Sequence, residues 1–185
     1  MEIKEYKDIE FGIPVNPFGI PVAQTWNQIG SLFDDFNRFK ISLFVELGVY
    51  LGGMSELMVI REGLVPNFKY IGIEYDISVI HKRMMHNPHI IIDSVFEDRI
   101  VAVVKNAINA TSDAALIYCD NGDKPREMRL YAPILRVGDY LRGHDYPGET
   151  SPEFLDAFAL EFPYMVEIER DKYRELGFST WKRVA

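Results

Sequence analysis

Two segments place side chains suited to proton transfer at the ends of apolar runs: Tyr118-Cys119-Asp120-Asn121-Gly122-Asp123-Lys124 and, further on, His144-Asp145. His144 titrates near neutral pH, and a neighbouring carboxylate would hold its ring in one orientation, so it reads as a general base. A competing reading makes it a structural pin of its loop. Asp120 and Asp145 join it as candidate catalytic residues. Cys119, the only cysteine, follows Tyr118 and reads as a buried structural thiol rather than a nucleophile. Counting alone excludes disulfide frameworks and cysteine-rich zinc sites.

A second group suits a ligand rather than a proton. The run Phe44 to Leu47 ends in Gly48, and Gly52-Gly53 then opens a helical pattern. Glycines at such a turn let the backbone approach a ligand, and the free amides at a helix start favour polar groups. A tight turn with no ligand is the plainer alternative. A dinucleotide fingerprint aligned on Gly48 and Gly53 needs its middle glycine where Tyr50 stands, which argues against NAD or FAD. No Gly-Lys-Ser or Gly-Lys-Thr follows, so a Walker phosphate loop is absent. The next apolar run ends in Gly72-Ile73-Glu74-Tyr75-Asp76, where an acid can accept hydrogen bonds from a ribose diol. Glu74 takes that role and Asp76 reads mainly as a cap. Asp93-Ser94 offers contacts to an adenine edge, or a further helix cap.

These groups need elements to hold them. Ile41 to Leu47, Lys69 to Glu74, His89 to Ile92 and Ala114 to Cys119 read as buried strands. Between them, Met54 to Glu62, Ile77 to Met85, Glu97 to Ile108 and Arg126 to Leu135 carry apolar residues at helical spacing. Alternation of this kind predicts a largely parallel sheet with crossover helices. The spacing also predicts a strand over Asp139 to Gly143, a helix opened by Ser151-Pro152-Glu153, and strands over Tyr164 to Ile168 and Phe178 to Val184. Thr25 to Phe39 reads as an amphipathic leading helix. The opening segment, with Pro14, Pro17 and Pro21 around Gly12 and Gly19, reads as a loop or lid.

A length of 185 residues predicts one domain over 1–185, with 1–24 as loop or lid, 25–39 as leading helix and 41–185 as core. No apolar run is long enough to cross a bilayer, and Met1 to Asp8 is too charged for a signal peptide, so a soluble cytoplasmic protein without a membrane partner is expected. The formal net charge of −8 opposes sequence-independent nucleic-acid binding. Lys82-Arg83 with His86 and His89, the densest basic group, reads as a solvated helix face.

The series Glu46-x-Gly48-x-x-x-Gly52-Gly53, Gly72-Ile73-Glu74, Asp93-Ser94 and Asp120 resembles the class I S-adenosylmethionine-dependent methyltransferases. The branch it is most similar to is the cephalosporin hydroxylase-type and macrocin-type O-methyltransferases. Gly19-Ile20-Pro21-Val22-x-Gln24 and Gly138-Asp139-Tyr140-Leu141-x-x-His144-Asp145-Tyr146 add to that resemblance. It implies an α/β, Rossmann-like three-layer sandwich with a seven-stranded, mostly parallel sheet whose last strand is antiparallel. It also implies S-adenosylmethionine as cofactor, bound by the loop that includes Gly52 and Gly53, with Glu46 and the backbone around Gly48 near its methionine part, Glu74 near the ribose, and Asp93 with Ser94 near the adenine.

Related O-methyltransferases that use a divalent ion carry acids after the fourth and fifth strands. Asp120, His144 and Asp145 stand in comparable places, so the resemblance makes them candidate metal ligands. Oxygen donors suit magnesium, whereas a histidine shifts preference toward a transition metal, so His144 departs from the usual acid pair. Base, ligand and structural pin therefore stay open for His144. The expected activity is O-methylation of a small hydroxylated molecule or sugar, in a pocket walled by the N-terminal segment and by neighbouring subunits of a homo-oligomer. The alternative is a non-catalytic scaffold or binding subunit of the same fold.

Overall fold

The computed structural model describes residues 15–185. The expectations for Met1 to Asp8, Gly12 and Pro14 lie outside the described residues. The chain runs α1 (Trp26–Arg38), β1 (Ile41–Leu47), α2 (Gly53–Leu64), β2 (Lys69–Glu74), β3 (Ile90–Ile92), α3 (Asp98–Ala110), β4 (Ala114–Cys119), α4 (Lys124–Tyr131), β5 (Tyr140–Gly143), α5 (Pro152–Glu161), β6 (Met165–Glu167), α6 (Arg170–Glu175) and β7 (Ser179–Arg183). One seven-stranded sheet has the order β3-β2-β1-β4-β5-β7-β6. The pairs from β3 to β5 are parallel, and β7 runs antiparallel to both β5 and β6.

Period-two alternation sends neighbouring residues of the central strands into different layers. Leu43, Val45 and Leu47 of β1 join Ile117 and Cys119 of β4 under Ile100 and Val104 of α3 and Phe158 of α5. Phe44 of β1, Tyr70 of β2 and Tyr118 of β4 face the other way, under Ile29 and Phe36 of α1 and Met54 of α2. Burying each large apolar side chain contributes about 1.5–3 kcal/mol, so the two layers together hold the sheet. Glu46 lies on the Phe44 side of β1, beneath α2.

The leading helix starts at a capping box. The Thr25 hydroxyl accepts from the Gln28 amide, and the Gln28 side-chain oxygen accepts from the Thr25 amide at 2.7 Å. Further along α1, Asp35 is fully buried and takes hydrogen bonds from Arg142 of β5 and Tyr173 of α6. One helix thus grips two distant elements.

The structure corrects the reading of Ile77 to Met85, where a crossover helix was expected. Only a 3-10 turn, Ile77–Val79, forms there. Asp76 accepts from the Ser78 amide, and His81 Nδ1 accepts from the Arg83 amide, so side chains satisfy the backbone that a helix would need. Ile80 and Met84 still find a core, packed with Ile20 and Val49 beside the glycine loop. Lys82 and Arg83 are consequently exposed but not on a helix. Arg126 to Leu135 resolves into α4 and a 3-10 turn, and α6 was not anticipated, because only Tyr173 of its polar sequence is buried.

Candidate functional site

At the carboxyl end of β1 the chain turns through Gly48, in the left-handed region at φ 93°, Tyr50 at φ 49° and Gly52 at φ 84° before α2 begins. Packing demands Gly48 and, at the start of α2, Gly53. A Cβ on Gly48 would strike the Asp120 carbonyl at the end of β4, and one on Gly53 would strike the Pro21 carbonyl. The loop therefore lies against β4 on one side and beneath the N-terminal segment on the other. Asn16 locks that segment down, donating to the Gly53 carbonyl at 3.1 Å and to Glu56 at 2.8 Å.

A cavity of about 250 Å³ opens between these parts. Its floor is the loop from Gly48 to Met54, its roof is Pro21, Ala23 and Gln24, and its far wall is Asp120, His144 and Asp145. In an open α/β sheet this is where ligands bind, outside the carboxyl ends of the strands.

The sequence-predicted residues divide into two sets. Gly48, Gly52, Gly53, Asp120, His144 and Asp145 all line the cavity. Glu46, Glu74, Asp93 and Ser94 are engaged elsewhere. Glu46 is buried under α2, where its Oε2 accepts from the Ser55 hydroxyl at 2.7 Å and from the Tyr70 hydroxyl. Burial pushes its carboxyl up to about 8, against the pull of those two donors. Glu74 is also buried; its oxygens accept from the Tyr50 amide at 2.9 Å and the Asp76 amide at 3.1 Å. Asp93 pairs with Arg99 at 2.7 Å and accepts from the Ser94 amide, while Ser94 accepts from Phe96. Asp76 caps its turn, as read from the sequence.

The far wall is a charged cluster. His144 Nδ1 lies 3.0 Å from Asp120 Oδ1 and 3.3 Å from Asp145 Oδ1. Lys124, at the first position of α4, reaches Asp145 at 2.7 Å, Glu149 at 3.2 Å and Asp120 at 3.5 Å. Burial opposes the charge on Lys124, but its bond to Asp145 and the nearby carboxylates outweigh that and hold its pKa above the ordinary value. Asp145 is burdened by partial burial too, yet Lys124 and His144 hold its carboxyl below the usual range. For His144, burial lowers and the Asp120 hydrogen bond with both carboxylate charges raises; the result lies above the ordinary imidazole value. Asp145 adopts a left-handed backbone at φ 60°, a conformation aspartate tolerates, which points its carboxylate back at Lys124.

Three contributors have no assigned role in the sequence reading of the site, although Gln24 and Lys124 stand inside segments quoted there. Gln24 donates to Asp120 Oδ2 at 2.9 Å, and Gln28 Nε2 lies 3.3 Å from His144 Nε2. Lys124 is the third. Gln28 carried a local signal in its capping-box spacing, but none that pointed to His144. Cys119 is fully buried, and burial raises its thiol pKa well above the ordinary value, as expected for a structural cysteine.

No family model and no curated protein matches the sequence. Solved structures do match in shape. A structure of CmcI with Mg and SAM aligns over 100% of this chain and 82% of its own, with a TM-score of 0.72 and 17% identity. The O-methyltransferase TomG from Streptomyces achromogenes, involved in tomaymycin synthesis and in complex with SAM, aligns over 89% of this chain and 83% of its own, at TM-score 0.52 and 11% identity. The SAH-bound methyltransferase PaMTH1 of Podospora anserina aligns over 86% of this chain and 78% of its own, at TM-score 0.53 and 12% identity. The chain has the Rossmann-like fold of these structures. Among its described residues no helix is long and apolar enough to cross a membrane.

Proposed function

We propose that this protein is an S-adenosylmethionine-dependent O-methyltransferase acting on a small hydroxylated molecule or a sugar. One observation carries the reading: a single cavity joins the glycine loop to Asp120, His144 and Asp145. The donor set suits a cationic cofactor. Asp120, Asp145 and Glu149 outnumber Lys124 even when His144 is also protonated, so the cluster keeps negative charge to attract a sulfonium and an ammonium. Glu74 already accepts two amides, yet a carboxylate has about four acceptor sites, which leaves room for a ribose hydroxyl.

The sulfonium supplies the methyl group: its S–CH3 bond breaks as an O–CH3 bond forms on the acceptor, and the electron pair returns to sulfur. The protein's part is alignment and removal of the acceptor's proton. Asp120 is held from both sides, by Gln24 and by His144, and can accept a hydrogen bond from the acceptor hydroxyl in a defined direction. Asp145, more exposed than its partners, gives the proton a route to solvent.

A divalent ion fits the donor atoms, since the ligand atoms of Asp120, His144 and Asp145 lie within 4.8 Å of one another. Asp120 and Asp145 would hold it once Lys124 gives way, and it would make the acceptor hydroxyl more acidic. We place the protein in the cytoplasm, with a small-molecule substrate and no nucleic-acid or membrane partner, and as one domain able to form a homo-oligomer.

Calorimetry with S-adenosylhomocysteine against NAD and ATP tests the reading. Binding of the first alone is expected, with Glu74→Ala costing about 10- to 100-fold as a charge-assisted hydrogen bond is lost. No heat with S-adenosylhomocysteine at millimolar concentration overturns it. The occupied state of Glu74 favours a second reading, a non-catalytic module of the same fold, and that outcome would select it.

A further inference from the structure

Gln28 stands where its side-chain amide admits one orientation. Its Oε1 accepts from the Thr25 amide at 2.7 Å, and its Nε2 donates to the Leu176 carbonyl at 2.7 Å. Flipping the amide would set N–H against N–H at Thr25 and oxygen against oxygen at Leu176. The orientation is therefore fixed by two backbone groups whose own polarity is not in question. The turn after α6 closes over it, since a Cβ on Gly177 would approach Gln28 Nε2 at 3.3 Å.

The second hydrogen of Gln28 Nε2 then faces His144 Nε2 at 3.3 Å. A nitrogen that meets an N–H donor must offer its lone pair, so the neutral ring carries its proton on the other nitrogen. That nitrogen, Nδ1, faces Asp120 at 3.0 Å and Asp145 at 3.3 Å, both acceptors. Both sides of the imidazole agree on one tautomer.

We propose that Gln28 is a positioning residue that keeps the His144 proton on Nδ1, so that His144 serves as a donor that orients Asp120 and does not ligate a metal through Nδ1. The inference rests on the proposed role of Asp120 and Asp145 as the groups that orient the acceptor. Ligation through Nδ1 needs the proton moved to Nε2, and there it would meet the N–H of Gln28. Metal-bound histidines ordinarily donate their second nitrogen to a carboxylate or carbonyl, and this ring is offered the reverse. The candidate ligand set of Asp120, His144 and Asp145 thereby reduces to its two carboxylates.

Long-range proton–nitrogen correlation spectra of the full chain, with His144 identified by its loss in His144→Ala, read the tautomer directly. In its neutral ring, read at a pH above its raised imidazole value, the wild type is expected to show Nδ1–H. Gln28→Glu, which replaces the donor with an acceptor, is expected to hold a proton on Nε2 as well and, once Zn²⁺ displaces the Nδ1 proton, to bind that ion at least tenfold more tightly by calorimetry, in the range a carboxylate behind a ligating histidine confers. In the double variant with His144→Ala that gain disappears. An Nε2–H tautomer in the wild type overturns the proposal, and so does a Gln28→Glu variant without the gain. If Gln28→Glu does not fold, the wild-type spectrum decides alone. Failure of S-adenosylhomocysteine to bind would instead end the methyltransferase reading and leave the tautomer result untouched.

Discussion

The two halves of the cavity use carboxylates in opposite ways. Beneath the glycine loop, Glu46 and Glu74 are buried and consumed by internal donors: Ser55 and Tyr70 for the first, the Tyr50 and Asp76 amides for the second. Across the cavity, Asp120 and Asp145 line open space, and apart from the Gln24 amide on Asp120 their partners are other charged or titratable side chains. The loop half is framework that happens to carry acids. The strand-end half holds its charge in reserve for something that enters. Apart from Glu74, whose remaining acceptor sites face the proposed ribose, substitutions in the first should register mainly in stability, and those in the second mainly in binding or turnover.

The largest expected effect breaks the framework. Gly48→Ala combines a left-handed backbone with a collision at the Asp120 carbonyl, and a loss of roughly 2–5 kcal/mol in urea unfolding is expected. An unchanged midpoint would show that the loop yields and that the division between halves is false.

Glu46→Gln sharpens the same side. The folded state holds the Glu46 proton more tightly than the unfolded chain, so stability falls as pH rises from about 4.5 to about 8 and is level above that. Glutamine retains an acceptor for Ser55 and Tyr70 without the charge. The variant should lose that slope and gain on the order of a few kcal/mol at pH 8 or above, as seen by thermal melts across pH. A variant less stable than wild type at pH 8 would count against a buried neutral acid.

On the other side, Lys124→Met leaves Asp145 and Glu149, both about half exposed, to rehydrate, so only about 1–2 kcal/mol of stability should go. The informative readout is Mg²⁺ affinity, expected to rise about tenfold as a competing cation leaves. A fall in affinity would make Lys124 part of the ion's support. The smallest effect belongs to Asp76→Ala, which removes a cap at the rim: about 0.5–1 kcal/mol, with S-adenosylhomocysteine affinity unchanged in calorimetry.

The sequence read the framework better than the reserve. Ile41 to Leu47, Lys69 to Glu74 and Ala114 to Cys119 are strands at those bounds, because continuous apolar runs between turn residues have few other solutions. Ile77 to Met85 misled because its apolar spacing is real but serves a different partner. Ile80 and Met84 pack on the glycine loop, and Gly52 is the residue that gives Met84 room. Asp120, His144 and Asp145 were legible because strand ends are local. Their control was not, since Gln24 and Gln28 meet them across 96 and 116 residues of chain. Amide side chains in a helix start look alike whether they face water or an imidazole.

Asp35 gives the fold a timetable. Its long-range partners, Arg142 and Tyr173, follow it by 107 and 138 residues. At about 5–20 residues per second, a ribosome takes roughly 5–20 s to deliver the first of them. Until then a carboxylate destined for full burial has only Arg38 of its own helix and water as partners, and α1, though it can meet β1, lacks the two groups that neutralise and bury Asp35. The first helix of the described residues thereby completes its contacts late, and with it Gln24 and Gln28. The cavity acquires its roof only when nearly all of the chain beneath it is in place.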